Sequence, residues 1–266
     1  MAIRTVAQVT DDATAALDAA GCLTPRADAV TLVAAALGSR VSDLPERGGD
    51  PVPDALACVI DERVARRRNR EPLAYIIGWC RFRGLELAID HRALIPYPYT
   101  EPLVDIAVRL PNEARVHDVG TGSGAIALAT KAERPDLIVS GSDLVPGAIE
   151  VANSNARRLE LDVEFTVARG LPRGEFDLVV ANLPYIDEER RTVELPPEAD
   201  HLPHVAVFAG GADGLDVIRE FLADAPRDLR VALEHSRSQT DAIHALLSEP
   251  ETFGNDWNRF TVGLVP

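Results

Sequence analysis

A polar turn interrupts an apolar run near two-thirds of the way along the chain. Residues 176–181 are Phe-Asp-Leu-Val-Val-Ala, which predicts a buried strand, and the next four residues are Asn-Leu-Pro-Tyr. Loops that follow strands in open α/β sheets carry chemistry, because ligands bind outside the carboxyl ends of the strands. The candidate catalytic residues are therefore Asn182, Leu183, Pro184 and Tyr185.

The chemistry of this turn suits a planar nitrogen substrate. The lone pair of an amide or exocyclic amine nitrogen is delocalised, so the nitrogen attacks poorly until it becomes pyramidal. Two acceptors aimed at its N–H hydrogens favour that geometry, and the predicted acceptors are Asn182 Oδ1 and the backbone carbonyl of Leu183. Pro184 stiffens the turn, and the ring of Tyr185 stacks on the planar group.

A glycine-rich loop, Gly-Thr-Gly-Ser-Gly at residues 120–124, follows a second predicted strand and opens a helix. Glycines allow a tight turn and let backbone N–H groups approach a ligand closely. The pattern G-x-G-x-G is typical of S-adenosylmethionine (SAM) methyltransferases, but with Ala125 as the last position it also satisfies the dinucleotide fingerprint. The loop alone leaves both cofactors open. The candidate cofactor-binding residues are Asp118, Gly120, Thr121, Gly122, Ser123, Gly124, Asp143 and Asn182.

Two acids accompany the loop. Asp143 ends the next predicted strand, where it either accepts hydrogen bonds from ribose hydroxyls or caps the helix that starts at Pro146. Asp118 precedes the first glycine. In a SAM enzyme it lies near the methionine amino group, directly or through water, and the alternative is that it stabilises the turn. The Asn-Leu-Pro-Tyr turn distinguishes between a SAM site and a dinucleotide site, because an N-methyltransferase needs such a turn and a nicotinamide enzyme does not.

The elements that hold these residues divide the chain into three parts. Residues 1–75 predict a small helical bundle for packing or partner recognition, with helices at 13–20 (N-cap near Thr10), at 27–37 and from Pro53 onward. Residues 76–92 predict a β-hairpin that links two domains. Residues 93–266 alternate strand and helix, which indicates a mostly parallel α/β sheet. Its predicted strands are 116–119, 138–143, 163–167, 176–181, 229–234 and 259–265; its predicted helices are 102–109, 125–133, 146–159, 215–225 and 240–247.

Composition excludes several classes of function. The 266-residue chain is 46% hydrophobic and carries a formal net charge of −15, so direct nucleic-acid binding is not expected. The only strong cationic cluster, residues 63–70, is interpreted as a solvated helix end, with docking of an acidic partner or RNA as the alternative. Three scattered cysteines and six scattered histidines predict no disulfide framework and no metal site. No transmembrane run or secretory segment is evident, so a cytoplasmic location is expected.

Together these motifs resemble the HemK-type protein-(glutamine-N5) methyltransferases, which modify release factors. The resemblance covers residues 72–266 and includes Pro-Leu-Ala-Tyr-Ile-Ile-Gly at 72–78, Leu-Ile-Pro at 94–96, the glycine loop, and the run that ends in Asn182. Downstream, Leu-Pro-Pro-Glu at 195–198 and Gly-Gly-Ala-Asp-Gly-Leu-Asp at 210–216 separate this family from methyltransferases in general. The resemblance implies a Rossmann-like, seven-stranded class I fold and SAM as cofactor. It also implies a protein partner with an exposed glutamine.

Three segments depart from the family pattern. Leu183 replaces a proline but keeps the backbone carbonyl. Tyr97 and Tyr99 replace an arginine and an acid near the pocket; with Thr100 they are the candidate substrate-pocket residues. After the third predicted strand the family has an acid that reaches the adenine amine, whereas this chain has Val-Ala-Arg-Gly-Leu at residues 167–171, so adenine must be recognised by the backbone or by another residue.

Four alternatives remain open at this point. The enzyme could methylate a small amide- or amine-bearing molecule, or the adenine N6 of ribosomal RNA, whose methyltransferases also use Asn-Leu-Pro-Tyr. It could be an inactive SAM-binding interaction module. The glycine loop alone also permits an NAD-dependent oxidoreductase.

Overall fold

The computed structural model describes residues 4–187, 195–254 and 258–266. The chain forms two compact units. One comprises Met1–Gly78 with Pro197–His201, and the other comprises Trp79–Pro196 with Leu202–Pro266. The predicted first domain, 1–75, starts with three residues that lie outside the described ones. No helix among the described residues is long and apolar enough to cross a membrane.

The described part of the first unit contains four α-helices, α1 (Val6–Ala19), α2 (Pro25–Leu37), α3 (Asp54–Arg68) and α4 (Leu73–Ile77). The prediction that the first helix begins near Thr10 was wrong. Thr5 caps α1 instead, in a capping box with Gln8 that satisfies the first amide groups of the helix. Thr10 lies buried within α1, where its hydroxyl donates to the Val6 carbonyl at 2.6 Å.

Arg67 is a buried ion-pair partner in this unit. Its side chain is 8% exposed and contacts Asp28 at 2.7 Å and Glu198 at 2.9 Å. Arg70 contacts Glu198 as well, at 2.8 Å. The interpretation of the cationic cluster as a solvated helix end was therefore wrong for Arg67. Both partner acids are distant in sequence, so no local pattern could indicate the pairing.

We expect Arg67→Lys to lower the free energy of unfolding by about 1–2 kcal/mol. An arginine fork can bond two carboxylates in fixed directions, whereas a lysine ammonium is a flexible point donor. Urea denaturation followed by circular dichroism measures the loss. Arg68→Lys is the matched control, because Arg68 is exposed on the same helix. An equal loss in both variants would contradict the role of the buried pair.

The second unit begins with an antiparallel hairpin, β1 (Trp79–Phe82) and β2 (Leu85–Ala88), at the predicted position. Its main sheet is mostly parallel and has seven strands, which confirms the predicted fold class. The strands are β3 (Arg115–Val119), β4 (Ile138–Asp143), β5 (Glu164–Val167), β6 (Leu178–Ala181), β9 (Arg230–Ser236), β10 (Ser248–Gly254) and β11 (Asn258–Leu264), with a separate short pair of β7 (Ile186–Asp187) and β8 (Phe208–Ala209). Its described α-helices are α5 (Pro102–Ala107), α6 (Ala125–Glu133), α7 (Pro146–Leu159), α8 (His204–Val207), α9 (Asp216–Asp224) and α10 (Thr240–His244).

The strand order β10-β11-β9-β6-β3-β4-β5 determines where ligands bind. The strands β9, β6, β3, β4 and β5 run parallel, while β11 pairs antiparallel with both of its neighbours, β9 and β10. The chain leaves β3 toward β4 on one side and returns to β6 on the other, so the order reverses at β3. A crevice forms at such a switch point, outside the carboxyl ends of the strands. The glycine loop, Asp143 and Asn182 all follow strands at that edge.

Candidate active site

Three glycines shape the loop between β3 and α6. Gly120, Gly122 and Gly124 have φ angles of +73°, +56° and +82°, which other residues rarely adopt. A Cβ on Gly120 would stand 3.0 Å from Leu183 Cδ2, so the loop packs against the turn that follows β6. By contrast, a Cβ on Gly122 would meet nothing within 4 Å. The loop is therefore closed on one side by the Asn-Leu-Pro-Tyr turn and open at Gly122.

Asp143 anchors the open part of the loop. One carboxylate oxygen accepts from the Gly122 amide at 2.9 Å, and the other accepts from the Val145 amide at 2.9 Å. Burial raises the pKa of Asp143, and the backbone amides partly offset that effect. A carboxylate has about four acceptor positions, so acceptor capacity remains for ligand hydroxyls.

Asp118 lies underneath the loop and is fully buried. Its Oδ2 accepts from Thr121 Oγ1 at 2.7 Å, whereas its Oδ1 has no hydrogen-bond partner among the described residues. Burial raises the pKa of Asp118 to about 7. A carboxylate with an unused buried oxygen is costly, which suggests that a further partner belongs there.

A cavity of about 340 Å³ lies against this loop. Six predicted residues line it: Gly120, Gly122, Asp143, Asn182, Leu183 and Pro184. Four other predicted cofactor residues, Asp118, Thr121, Ser123 and Gly124, are buried and do not line it. Leu144 and Val205 contribute apolar surface to the cavity and are 51% and 50% exposed.

The side chain of Asn182 is held in one orientation. Its Nδ2 donates to Thr100 Oγ1 at 3.2 Å, so its amide oxygen is the atom left to accept from a ligand. Thr100, a predicted substrate-pocket residue, is 4% exposed and supports Asn182 from outside the cavity lining.

Tyr185, the last residue of the turn, does not line the cavity. Its hydroxyl donates to Glu234 Oε1 at 3.2 Å, and its backbone carbonyl accepts from Gln239 Nε2 at 2.7 Å. The predicted tyrosine pair lies nearby: the rings of Tyr97 and Tyr99 are stacked with centroids 5.0 Å apart. Burial raises the pKa of Tyr99, and the neighbouring Tyr97 and Glu234 side chains add to that effect. Asn182 thus lines the cavity and is bonded through its Nδ2 to Thr100, the residue that follows Tyr99.

Glu234 was not among the residues predicted from the sequence. It ends the hydrophobic part of β9, is fully buried, and accepts from both Tyr185 and Asn258. Burial raises the pKa of Glu234 to about 7, although hydrogen bonds from Thr100, Tyr185 and Asn258 act to lower it. One signal could have found it: an acid in the apolar run Val-Ala-Leu-Glu, at the carboxyl end of a strand predicted to be central.

Two family descriptions match this chain. The PrmC N-terminal domain matches residues 8–78, and the methyltransferase small domain matches residues 103–197. A release factor glutamine methyltransferase of Deinococcus radiodurans is 41% identical over 221 residues, which cover 80% of this chain and 78% of that protein. The enzyme of the same name from Koribacter versatilis is 35% identical over 272 residues, covering 97% of this chain and 93% of that protein.

The chain belongs to the release factor glutamine methyltransferase family. The resemblance to HemK-type enzymes is confirmed, and the family makes this protein a SAM-dependent methyltransferase. Among solved structures, the hMettl16 catalytic domain in complex with MAT2A 3'UTR hairpin 1 has a TM-score of 0.55 at 14% identity, covering 81% of this chain and 83% of that one. That likeness shows the fold alone. Family membership selects SAM over the dinucleotide that the glycine loop left open.

The residues present fit SAM. The unused Oδ1 of Asp118 is an acceptor suited to a cationic group, and the spare acceptor positions of Asp143 suit ribose hydroxyls. The open space at Gly122 admits a ligand close to the backbone. Leu144 and Val205 offer apolar surface to a flat ring. Among the described residues, no group of three or more His, Cys, Asp or Glu side chains is arranged to hold a metal.

Proposed function

We propose that this enzyme methylates the side-chain amide nitrogen of a glutamine in a peptide chain release factor, with SAM as the methyl donor. The observation that carries the proposal is the position of Asn182, which lines the same cavity as Gly122 and Asp143 while its Nδ2 is held by Thr100. An amide oxygen fixed beside a SAM-type loop is an acceptor for the N–H of a planar nitrogen. The relatives named for this reaction support the same substrate.

The turn acts by orienting the nucleophile. Bound SAM would supply an electrophilic methyl group, whose bond to sulfur breaks as the new C–N bond forms, and one N–H proton then leaves the nitrogen to solvent. Asn182 Oδ1 and the Leu183 carbonyl accept the two N–H hydrogens of the glutamine amide, which favours a pyramidal nitrogen with its lone pair directed outward. Pro184 has no N–H and a fixed φ angle, so it holds the Leu183 carbonyl in place. The substitution of leucine for the family's proline at residue 183 keeps that acceptor.

The methyl acceptor enters from the tyrosine side of Asn182. Tyr97 and Tyr99 present a stacked aromatic pair there, next to Tyr185 and Glu234. Aromatic faces pack well against planar amides. We assign Tyr97, Tyr99 and Thr100 to this substrate side, and the glycine loop with Asp118 and Asp143 to the cofactor side.

The helical domain, residues 1–75, recognises the protein partner. The hairpin at 76–92 connects this domain to the catalytic domain at 93–266. The net charge of −15 disfavours a nucleic acid as the substrate. Release factors act on ribosomes, so the proposal implies that the enzyme works in the cytoplasm.

The direct test uses SAM with an isotopically labelled methyl group. The enzyme is incubated in parallel with a release factor, with ribosomal RNA and with a small-molecule extract, and mass spectrometry locates the label. We expect the label on one glutamine of the release factor and none after that glutamine is changed to alanine. Label on RNA or on a small molecule alone would replace the proposed substrate. Tight SAM binding without transfer in any arm would favour the inactive module.

Asp143→Asn should weaken SAM binding by about 10- to 100-fold, because charge-assisted hydrogen bonds contribute about 1.5–3 kcal/mol. An asparagine has one acceptor oxygen, so it cannot hold both the Gly122 amide and the Val145 amide and still bind ribose. Isothermal titration calorimetry measures the dissociation constant.

The matched control is Asp136→Asn, a surface acid paired with Arg134. It should leave SAM affinity unchanged. A dissociation constant within twofold of wild type for Asp143→Asn would mean that the Asp143 carboxylate does not bind the cofactor and serves only to accept from the Gly122 amide and from the Val145 amide before α7.

A further inference from the structure

We propose that Gln239 is a positioning residue for methyl transfer, because its side-chain amide bonds the end of the Asn-Leu-Pro-Tyr turn to the loop at residues 210–216. This connection holds the two acceptors of the turn, Asn182 Oδ1 and the Leu183 carbonyl, in place. The inference therefore rests on the proposed function. It also gives a role to the Gly-Gly-Ala-Asp-Gly-Leu-Asp segment, which does not line the cavity.

The amide of Gln239 bonds backbone groups from three segments of the chain. Its Nε2 donates to the Tyr185 carbonyl at 2.7 Å and to the Asp213 carbonyl at 2.7 Å. Its Oε1 accepts from the Ser236 amide at 2.9 Å. Gln239 is only 7% exposed, so these bonds are shielded from water. The turn, the loop at 210–216 and the end of β9 therefore meet at this one side chain.

The orientation of this amide is determined by its neighbours. The Ser236 N–H can only donate, so it must face the amide oxygen, and the two carbonyls can only accept, so they must face the amide nitrogen. A flipped amide would set its oxygen against two carbonyl oxygens. The three bonds therefore fix Gln239 in one state, and they fix the position of the Tyr185 carbonyl with it.

A close backbone contact at Gly214 places the loop directly against the turn. Gly214 has a φ angle of +71°, and a Cβ there would stand 2.5 Å from the Tyr185 carbonyl oxygen, so only glycine fits. The loop is also closed on itself, because the Asp213 carboxylate accepts from the Leu215 amide at 3.2 Å and from Arg219 at 2.8 Å. The loop is thus a fixed support for the turn.

The position of Tyr185 matters because the turn is short. The strand β6 ends at Ala181, so both acceptors lie between that strand and the bond to Gln239. Pro184 has a fixed φ angle, so a shift of the Tyr185 carbonyl would pass to the backbone that carries the acceptors. Misplacing a reacting group by about 1 Å can lower a rate by about 10²-fold.

Gln239 also belongs to a capping box with Ser236, in the short 3₁₀ helix Arg237–Gln239. That role uses the amide oxygen alone, and a glutamate would serve it equally well. In the first unit, the exposed Gln8 caps α1 with its oxygen in the same way. A buried glutamine is required here because two carbonyls need its N–H groups.

Gln239→Glu keeps the oxygen that accepts from the Ser236 amide and replaces the two donors by a second oxygen. We expect kcat for transfer to a release factor to fall by about tenfold or more. The dissociation constant of SAM and the KM for the release factor should stay within about threefold of wild type, since misplaced acceptors affect the transition state. Ser236→Ala is the matched control. It removes the hydroxyl of the same cap, leaves the backbone N–H, and should keep wild-type kcat.

Gly214→Ala disturbs the same contact from the other side without altering any hydrogen-bonding group. Its methyl group would press on the Tyr185 carbonyl oxygen, so kcat should again fall by about tenfold while SAM affinity is kept. Gly84→Ala is the control, because Gly84 has a φ angle of +79° and a Cβ there would meet nothing within 4 Å. This control carries similar backbone strain without the contact and should keep wild-type kcat.

A double-mutant cycle separates positioning from a general structural role. Gln239→Glu should lower kcat by a smaller factor in the Asn182→Ala background, because one of the acceptors that it displaces is already absent. Equal factors in both backgrounds would overturn the inference, as would wild-type kcat in either Gln239→Glu or Gly214→Ala. So would a parallel loss of melting temperature, SAM affinity and kcat in both variants. Absence of transfer by the wild-type enzyme itself would instead overturn the proposed substrate.

Discussion

Asn182→Ala is expected to lower kcat for methyl transfer by about 10²- to 10³-fold, the usual cost of removing one preorganised hydrogen-bonding group from a reacting centre. The side chain supplies an acceptor beside the glycine loop, and its orientation is fixed by Thr100. Alanine removes the acceptor without adding volume. The glutamine nitrogen then keeps its planar, delocalised lone pair and reacts slowly even when it is bound close to the methyl group.

The measurement is single-turnover transfer of labelled methyl to a release factor, with SAM affinity and melting temperature determined on the same preparation. SAM affinity should change by less than about fivefold, because the glycine loop and Asp143 remain. Asn112→Ala, at an exposed asparagine in the loop before β3, is the control and should behave as wild type. Wild-type turnover in Asn182→Ala would remove this residue from the mechanism.

The sequence predicted best where local signals were strong. The structure has α6, β4 and α7 at the predicted bounds of 125–133, 138–143 and 146–159. Each is delimited by a glycine loop, an acid or a proline and carries a clear apolar pattern. The glycine loop and the Asn-Leu-Pro-Tyr turn were recognisable because both motifs are local in sequence. The fold brings them together with a separation of 3.0 Å between the Cβ position of Gly120 and Leu183 Cδ2.

The predictions failed where long-range pairing decides the structure. The strand β10, Ser248–Gly254, was missed because Ser-Glu-Pro-Glu-Thr-Phe-Gly has no alternating pattern and contains a proline. It is an edge strand that forms by pairing with β11, and a hydroxyl bond of 2.6 Å joins Thr252 to Thr261. Glu234 was missed for a similar reason, because the groups that donate to it, on Tyr185 and Asn258, lie far from it in sequence. A contact between residues that are far apart in the chain is not visible in any local sequence pattern.

Asp118→Asn is expected to change stability and SAM binding in opposite directions. Burial raises the pKa of Asp118 to about 7. An acid whose pKa is raised in the folded protein stabilises it fully at pH values below the unfolded pKa, near 3.8, and this contribution is lost as the pH rises through 7. The difference corresponds to at most about 4 kcal/mol. Asparagine carries no charge and can still accept from Thr121, so the variant should be more stable than wild type at pH 8 and closer to it at pH 5.

The comparison must be made between variant and wild type, because other groups titrate in the same range. Burial also raises the pKa of Glu234 to about 7, and it lowers the pKa of His117 to about 4. A histidine with a lowered pKa adds stability as the pH rises from about 4 to 6.5, which opposes the two acids. Urea denaturation of both proteins at pH 5 and pH 8 isolates Asp118, since the other groups are common to both.

The same substitution, Asp118→Asn, should weaken SAM binding. The free Oδ1 of Asp118 is the acceptor that we assign to the methionine ammonium group, reached through a water molecule because Asp118 is fully covered. Calorimetry at pH 8 should show Asp118→Asn binding SAM about tenfold more weakly than wild type. The affinity of wild type should fall as the pH drops below 7, because protonation removes the charge, and the variant should lack that dependence. Equal affinity of the two proteins at pH 8 would mean that Asp118 serves the glycine turn alone. A more stable but weaker-binding variant would mean that folding free energy is given up at this position to hold the cofactor.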